Sequence, residues 1–362
     1  MILTLTPNPT IDRVIFVRDF RWGIAVRAER EVVTPSGKGV DASLAIHDLG
    51  GTTVALGLNA GLSGRLHEGL LDEWGVPHDF VPALGETRTA VVLVDQAVHQ
   101  QSTISAPTLA ATGDHLSRLL ALVDRYAERA WGLICAGSLP PGLPVDSYAH
   151  LVRHARQRGL VVLLDTSGEA LCRGVAGLPH ILKINQDELG SLDAGMAGCR
   201  RRPGRDLVIT LARRLAARLN EWASDALVVT LGGQGALAVT REGSFQAAPP
   251  DVPVVNTAGA GDALNGGLML ARSQGGDWPA ALAMGTAAAA SAVMSEGTAV
   301  CRREQVEELL PQVQVRRIDE HEMYAPRRSP DPRLGPGSGD PAERIHFPVV
   351  QEKEWRDYDD IT

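Results

Sequence analysis

Aromatic residues are scarce in this chain of 362 residues: six Trp, five Phe and four Tyr leave the core to be built mainly from Val, Leu, Ile and Ala. Cysteine is scarcer still. Its four copies, Cys135, Cys172, Cys199 and Cys301, stand far apart with no C-x-x-C pair. That argues against a zinc cluster and a disulfide framework and reads as reduced cytosolic thiols. No segment approaches roughly 18 uninterrupted apolar residues. The start, Met1-Ile2-Leu3-Thr4-Leu5-Thr6-Pro7, has neither the basic lead nor the small-residue cleavage site of a secretion signal. Membrane spanning and export are not expected, and a cytoplasmic location is. Positive charge is also in deficit, with 35 Lys+Arg against 43 Asp+Glu and a net charge of −8, so neither nucleic acid nor an anionic membrane is an expected partner.

What the chain does have is 44% hydrophobic and 22% charged residues, ordinary for a globular protein, with 38 Gly and 22 Pro scattered as turn formers. Helical spacing of Leu116, Leu119, Leu120, Val123 and Ala127 precedes the compact run Leu133-Ile134-Cys135-Ala136. The same rhythm recurs with Tyr148, Leu151, Val152 and Ala155 before Leu160-Val161-Val162-Leu163-Leu164, and with a helix around 206–223 before Ala226-Leu227-Val228-Val229-Thr230. Helices alternating with strands buried on both sides predict a doubly wound, mostly parallel α/β sheet flanked by helices. Period-two alternation in 13–20 with 27–33, and in 87–94 with 98–104, predicts a small antiparallel β lid, or else extra edge strands of the main sheet. From residue 313 the chain carries 8 Lys+Arg, 11 Asp+Glu and 6 Pro around Leu334-Gly335-Pro336-Gly337-Ser338-Gly339-Asp340. This predicts a main domain over 1–312 and a tail over 313–362, in which Ile345 to Val350 and Trp355 could dock on the body or on a neighbouring subunit.

The most informative segment is Val254-Val255-Asn256-Thr257-Ala258-Gly259-Ala260-Gly261-Asp262, a β run feeding a glycine turn and then a helix. Open amides at a helix start, with small residues around them, suit a phosphate. Asp262 is out of place beside an anion unless its carboxylate takes a proton from an attacking hydroxyl; alternatively it is an ordinary helix cap.

The chain also contains Asn8-Pro9-Thr10-Ile11-Asp12, Ser36-Gly37-Lys38-Gly39-Val40-Asp41, Gly137-Ser138-Leu139-Pro140-Pro141-Gly142, Lys183-Ile184-Asn185-Gln186-Asp187-Glu188 and Thr230-Leu231-Gly232-Gly233-Gln234-Gly235-Ala236. In that order and spacing, over residues 1–312, the chain resembles the ribokinase-like, PfkB-type sugar kinases, and within them the branch of 1-phosphofructokinase and tagatose-6-phosphate kinase. The resemblance implies an α/β sandwich with a β lid (about 12–34 and 86–105) and ATP-dependent phosphorylation of a sugar or sugar phosphate. It makes Asp262 the catalytic base, with Gly259, Ala260 and Gly261 forming the anion hole. It assigns Asp12, Gly37, Lys38, Gly39 and Asp41 to the sugar, and Arg27, Arg88 and Ser138 to a phosphate already on the substrate. The nucleotide side comprises Lys183, Asn185, Glu188, Thr230, Gly232, Gly235 and Asn256, with small residues such as Ala287 to Ala290 leaving room for a purine. Glu188 is expected to organise Mg²⁺ through waters. The expected partners are ATP, a small-molecule sugar or sugar phosphate and a second copy of the chain.

Two departures stand out. The family's Gly-Gly-Lys-Gly-x-Asn is here Ser36-Gly37-Lys38-Gly39-Val40-Asp41, which puts a carboxyl where an amide is usual, and Gln100 to Ser105 lacks the Glu-x-Asn pattern of the sugar-phosphate branch. The leading expectation is a kinase of a hexose phosphate such as fructose 1-phosphate, tagatose 6-phosphate or fructose 6-phosphate. A kinase of an unphosphorylated sugar or nucleoside and a non-catalytic sensor are the alternatives. A dinucleotide-dependent dehydrogenase would need a G-x-G-x-x-G after the first strand, which is missing.

Overall fold

Continuous apolar runs become strands covered on both faces, as their lack of polar alternation requires. The computed structural model describes residues 1–98, 100–193 and 205–319. In chain order the strands are β1 (Ile2–Thr6), β2 (Thr10–Val17), β3 (Arg30–Ser36), β4 (Thr53–Asn59), β5 (His78–Pro82), β6 (Leu84–Gly85), β7 (Arg88–Asp95), β8 (Gln100–Ser105), β9 (Leu109–Ala110), β10 (Gly132–Ala136), β11 (Val161–Asp165), β12 (Ile181–Asn185), β13 (Ala226–Thr230), β14 (Ala236–Thr240), β15 (Gly243–Ala248) and β16 (Gln314–Ile318). Ten of them form one sheet in the order β16-β15-β14-β13-β12-β11-β10-β1-β4-β5. The span from β13 to β5 is parallel and the other three strands add antiparallel at one edge.

Helices cover both faces. On one, Leu119, Leu122 and Val123 of the helix Gly113–Ala127 and Tyr148, Leu151 and Val152 of the helix Ser147–Gln157 join Leu3, Leu5, Leu133 and Leu164 in the larger core. On the other, Leu264, Leu268 and Met269 of the helix Ala260–Ser273 pack with Ile2, Ile134 and Leu163. Each such side chain contributes about 1.5–3 kcal/mol by leaving water. The chain runs outward from β1 to β4 and β5, then returns to β10 on the other side of β1. The strand order therefore reverses between β1 and β10, and the carboxyl ends of these strands are where an open α/β sheet binds its ligands.

The four-stranded small sheet has the order β3-β2-β7-β8 and buries Val14, Phe16, Val92 and Val94 on one face. It is not antiparallel throughout. The pairs β2–β3 and β7–β8 are antiparallel, but β2 and β7 join in parallel, with Thr10 opposite Arg88 and Asp12 opposite Ala90. The reason is topological: β2 follows β1 and β7 follows β5, so both hairpins leave from the same end of a parallel sheet. Asp12 and Arg88 are thereby brought to one end of the lid.

Three expectations are revised. The helix around 206–223 is two helices, Arg205–Ala216 and Leu219–Trp222. Val254-Val255 is not a strand: β15 ends ahead of Pro249 and Pro250, which have no N–H for a ladder, and Val254 is 64% exposed. The main sheet does not stop at residue 312, because β16 pairs antiparallel with β15. Residues 320–362, including Ile345 to Val350 and Trp355, lie outside the described residues, as does Cys199. Among the described residues no helix is long and apolar enough to cross a membrane.

A chain ending at residue 312 is expected to unfold at lower urea than one ending at residue 319. It loses the β15–β16 ladder and Ile318, which is 2% exposed, a burial worth about 1.5–3 kcal/mol. Coincident urea midpoints for the two chains would refute a structural role for β16.

Candidate active site

Prolines 249, 250 and 253 keep the chain after β15 irregular until it enters the helix Ala260–Ser273. Gly259 is the N-cap, with a left-handed backbone (φ 76°) and no side chain, where a Cβ would lie 2.5 Å from Ala299. No side-chain group caps this helix, so the first-turn amides of Ala260 and Gly261 remain available to an anion. Asp262 is therefore not the cap. It is 8% exposed and its Oδ1 is buried without a hydrogen-bond partner. Asn256 also departs from its expected place beside the nucleotide: its amide donates to the Glu296 carbonyl at 3.2 Å and accepts from the Ala258 N–H at 2.9 Å, which fixes the loop entering the helix.

Next to this helix start lies a network centred on Asp165, the last residue of β11 and fully buried. Lys38 Nζ lies 2.6 Å from Asp165 Oδ1 and 3.3 Å from Glu188 Oε1. Lys183 Nζ and Asn265 Nδ2 each donate to Asp165 Oδ2 at 2.7 Å. Burial alone would raise the Asp165 pKa, but Lys183 and Lys38 overcome it and hold the carboxyl well below the usual carboxylate range. Burial likewise works against the Lys38 charge, and Asp165, Asp262 and Glu188 more than offset it, so Lys38 stays protonated. Lys38, expected on the sugar side, thus directs its ammonium to Asp165 and Glu188. A Cβ at Gly261 would sit 2.8 Å from Lys183 Nζ, so a side chain there would displace that ammonium. Asp262 is pushed up to about 7, by burial first and by Asp165 second, against the pull of Lys38 and Lys183. A carboxyl poised near neutrality is suited to accept a proton.

Two clefts flank this centre. One, of about 820 Å³, is bounded by Thr230, Gly232 and Gly235 on one side and by Gly261, Thr286 and Ala289 on the other. Of the alanines expected to leave room for a purine, Ala289 and Ala290 line it, while Ala287 and Ala288 pack into a small apolar cluster. Asn185 borders the cleft, and its Oδ1 accepts the Asp187 and Glu188 amides at 2.9 Å, capping the helix Gln186–Leu192. Glu188 completes that capping box through Oε2, which accepts the Asn185 N–H at 2.8 Å. With Oε1 engaged by Lys38, Glu188 has little to offer as a direct metal ligand. Among the described residues no group of three or more His, Cys, Asp or Glu could hold a metal ion. This donor set fits a Mg²⁺ carried by nucleotide oxygens and its own waters, with Glu188 acting through water, and does not fit a protein-built cage.

The other cleft, of about 620 Å³, is bordered by Asn8, Arg88, Ser105 and Ser138. Arg88 donates to the Asn8 carbonyl at 3.3 Å and to Ser105 Oγ at 3.2 Å, and Asn8 Nδ2 donates to Ser138 Oγ at 3.1 Å. Asp12 and Asp41 are both near enough for Arg88 to feel their charge, and Asp41 in turn feels Asp262. Gly37 and Gly39 hold the turn beside them close to β1: Gly37 has φ 116°, and a Cβ there would lie 2.9 Å from Thr6 Cγ2. Arg27 is not brought in. It is exposed on the loop between β2 and β3, ten residues after β2 ends at Val17, and does not line the Arg88 cleft. Asp165, Asn265, Thr298 and Ser105 were not anticipated from sequence. Asp165 had a signal, a carboxylate ending a run of five apolar residues at the carboxyl end of a parallel strand.

A sheet with its reversal at β1/β10, an anion cradle at a helix start and a lysine pair beside a partnerless carboxyl define a phosphoryl-transfer site. The chain belongs to the pfkB family of carbohydrate kinases, whose family model matches residues 8–305. It is 30% identical over 311 residues to the ATP-dependent 6-phosphofructokinase isozyme 2 of Escherichia coli (strain K12), covering 85% of this chain and 97% of that protein. It is 29% identical over 315 residues to the 1-phosphofructokinase of Vibrio cholerae, covering 87% and 96%. Its fold is similar to that of the Escherichia coli phosphofructokinase-2 in complex with substrates and products, with a TM-score of 0.75, 28% identity and coverage of 86% and 98%.

Replacing Asp165 with Asn leaves the buried Lys183 and half-buried Lys38 ammonium groups facing an amide, and is expected to cost about 3–5 kcal/mol of stability. The depressed folded pKa sets the sign of its pH dependence: the Asp165 contribution is complete above about pH 5 and is lost as acid carries the carboxyl towards its folded pKa. Urea unfolding of both chains across that range checks it; a difference growing towards low pH would contradict the assignment.

Proposed function

We propose that this chain transfers the γ-phosphoryl group of ATP to a hydroxyl of a hexose phosphate of the fructose 6-phosphate, fructose 1-phosphate or tagatose 6-phosphate class, working in the cytoplasm. The observation that carries the reading is the buried, partnerless Oδ1 of Asp262 at a helix start beside Lys183, next to the cleft lined by Ala260 and Gly261. ATP enters the cleft at Gly232 and Gly235, where backbone without side chains lets the nucleotide come close. Its phosphates meet the Ala260 and Gly261 amides and the Lys38 and Lys183 ammonium groups. Mg²⁺ bound to the nucleotide would supply charge neutralisation between phosphate oxygens, with Glu188 contacting its waters.

The sugar lies against Asp12 and Asp41, and its phosphate faces Arg88 and Ser138; a planar guanidinium suits two phosphate oxygens at once. The acceptor hydroxyl gives its proton to Asp262 as its oxygen forms the new bond to the γ-phosphorus. The bond from that phosphorus to the β–γ bridging oxygen breaks, and ADP departs with the electron pair. The fixed cations and amides stabilise charge spread over the equatorial oxygens without reorganising. The names of the relatives support phosphofructokinase chemistry. Trp22, 86% exposed, and Ile24, 63% exposed, on the lid loop, with Ile104, 61% exposed, on β8, support pairing with a second copy of the chain.

Asp262→Asn is expected to lower kcat by about 10²–10⁴ on the best sugar phosphate. In the parent, kcat/KM for the acceptor should rise through about pH 7 as Asp262 ionises. Arg88→Ala should raise KM for sugar phosphates at least tenfold and leave that for free sugars little changed. Equal turnover of fructose and its phosphates would instead indicate a kinase of unphosphorylated sugars, and background rates in parent and Asp262→Asn with intact ligand binding would indicate a sensor.

A further inference from the structure

Two carboxyls on different elements of the acceptor pocket pose an electrostatic problem. Asp12, on β2, and Asp41, on the helix Lys38–Asp48, are 6% and 3% exposed, and the Oδ1 of each is buried without a hydrogen-bond partner. Their other oxygens are held. Thr298 Oγ donates to Asp12 Oδ2 at 2.9 Å, and Ser36 Oγ donates to Asp41 Oδ2 at 3.0 Å. Asp262 faces Asp41 from a third element and carries a partnerless oxygen of its own. Three ionised carboxylates sharing a buried pocket would repel one another, and would repel a phosphorylated acceptor as well. Carboxyls in such proximity resolve the conflict by retaining a proton.

Resting on the sugar-phosphate kinase reading, we propose that Asp41 acts as a neutral carboxylic acid, forming with ionised Asp12 a clamp for the ring hydroxyls of the acceptor. The Asp41 O–H donates a hydrogen bond to one sugar oxygen, and Asp12 Oδ1 accepts one from a neighbouring hydroxyl. A protonated carboxyl offers one donor and one acceptor, the same complement that a side-chain amide would present at this position. Ser36 fixes which oxygen carries the proton. Its hydroxyl occupies Oδ2, leaving Oδ1 for the O–H.

The groups facing Asp41 agree with this assignment. Burial comes first, then Asp262 and Asp12, all favouring the protonated form; the Ser36 hydroxyl and the Gly37 N–H offset them only in part. The Arg88 guanidinium on β7 is drawn to both Asp12 and Asp41 and favours ionisation of the pair's more acidic member. His67, on the helix Gly61–Glu73, lies behind Ser36 with Nε2 3.3 Å from the Ser36 carbonyl, and burial lowers its pKa to about 4, so it brings no charge at neutral pH. Asp12 is itself raised by burial, but the Thr298 hydroxyl and Arg88 each favour its ionised form.

The test is the pH profile of kcat/KM for fructose 6-phosphate, fructose 1-phosphate and tagatose 6-phosphate in the parent, Asp41→Asn and Asp41→Ala. The parent should give a bell, rising as Asp262 ionises and falling at higher pH as Asp41 loses its proton. Asp41→Asn, whose amide keeps its N–H at every pH, should keep the rising limb and lose the falling one. Asp41→Ala should lose about 10- to 100-fold throughout the range, with KM for the acceptor moving further than KM for ATP. A falling limb that persists in Asp41→Asn overturns the proposal. ¹³C NMR of the carboxyl-labelled full chain supplies a readout independent of turnover: the parent should show an Asp resonance titrating well above the usual carboxylate range that is missing from Asp41→Asn, and identical titrating sets in the two chains also overturn it. If no sugar phosphate in the panel is turned over, the kinase reading fails by itself, while the NMR titration still decides whether Asp41 holds its proton.

Discussion

A carboxylate with no solvent contact at the end of β11 is the constraint on which the catalytic geometry depends. Asp165 could not stay ionised there alone, since burial of an unpaired charge is prohibitive. Two ammonium groups from separate elements and the Asn265 amide make it possible. The same contacts bring together parts of the chain distant in sequence: the turn after β3, the middle of β12 and the first turns of the helix Ala260–Ser273. Such a network adds little to stability over a well-packed apolar core, but it tolerates few alternative arrangements. What it provides is placement. Lys38 and Lys183 are held side by side at the helix start, where a transferring phosphoryl group needs fixed positive charge.

This arrangement also explains why Asp262 differs from Asp165 although both are buried. Asp165 has its oxygens occupied by three donors, whereas Asp262 has an oxygen with none and feels Asp165 as a neighbouring negative charge. One carboxyl is thereby fixed as an anion and the other left near its titration point. Their difference in environment separates a structural from a reactive role, a division that residue identity alone could not supply.

Local signals were legible in the sequence where they depend on neighbours along the chain. The unbroken run Leu160 to Leu164 could only be a doubly covered strand, and Gly259 to Asp262 could only be a turn entering a helix or its cap. The expected lid strands and both clefts fall on segments marked by alternation or glycine. What could not be read is how distant segments meet. The parallel joining of β2 with β7 is set by where the chain leaves the large sheet, Asn256 and Val254 answer to prolines and to Glu296 rather than to their own pattern, and β16 hides in a charged, proline-rich stretch because an edge strand needs few apolar residues. Arg27 shows the opposite case: a residue type suited to phosphate, placed by its loop in solvent.

The acceptor and nucleotide halves of the site are joined by a short piece of backbone. Thr298 donates to Asp12, and the next residue, Ala299, donates its N–H to the Ala258 carbonyl at 3.3 Å and packs against Gly259, the cap of the anion cradle. Ala299 holds a left-handed backbone (φ 55°), which costs an alanine about 1–2 kcal/mol. The cost is sustained because this turn aims a hydroxyl at one side of the site and an amide at the other. A second tie runs from the lid, where Gln101 on β8 accepts from the Thr257 N–H at 3.1 Å, two residues before Gly259. Both ties end on the loop that presents the cradle amides, so a displacement of the lid or of the Asp12 strand has to break a hydrogen bond or carry that loop with it.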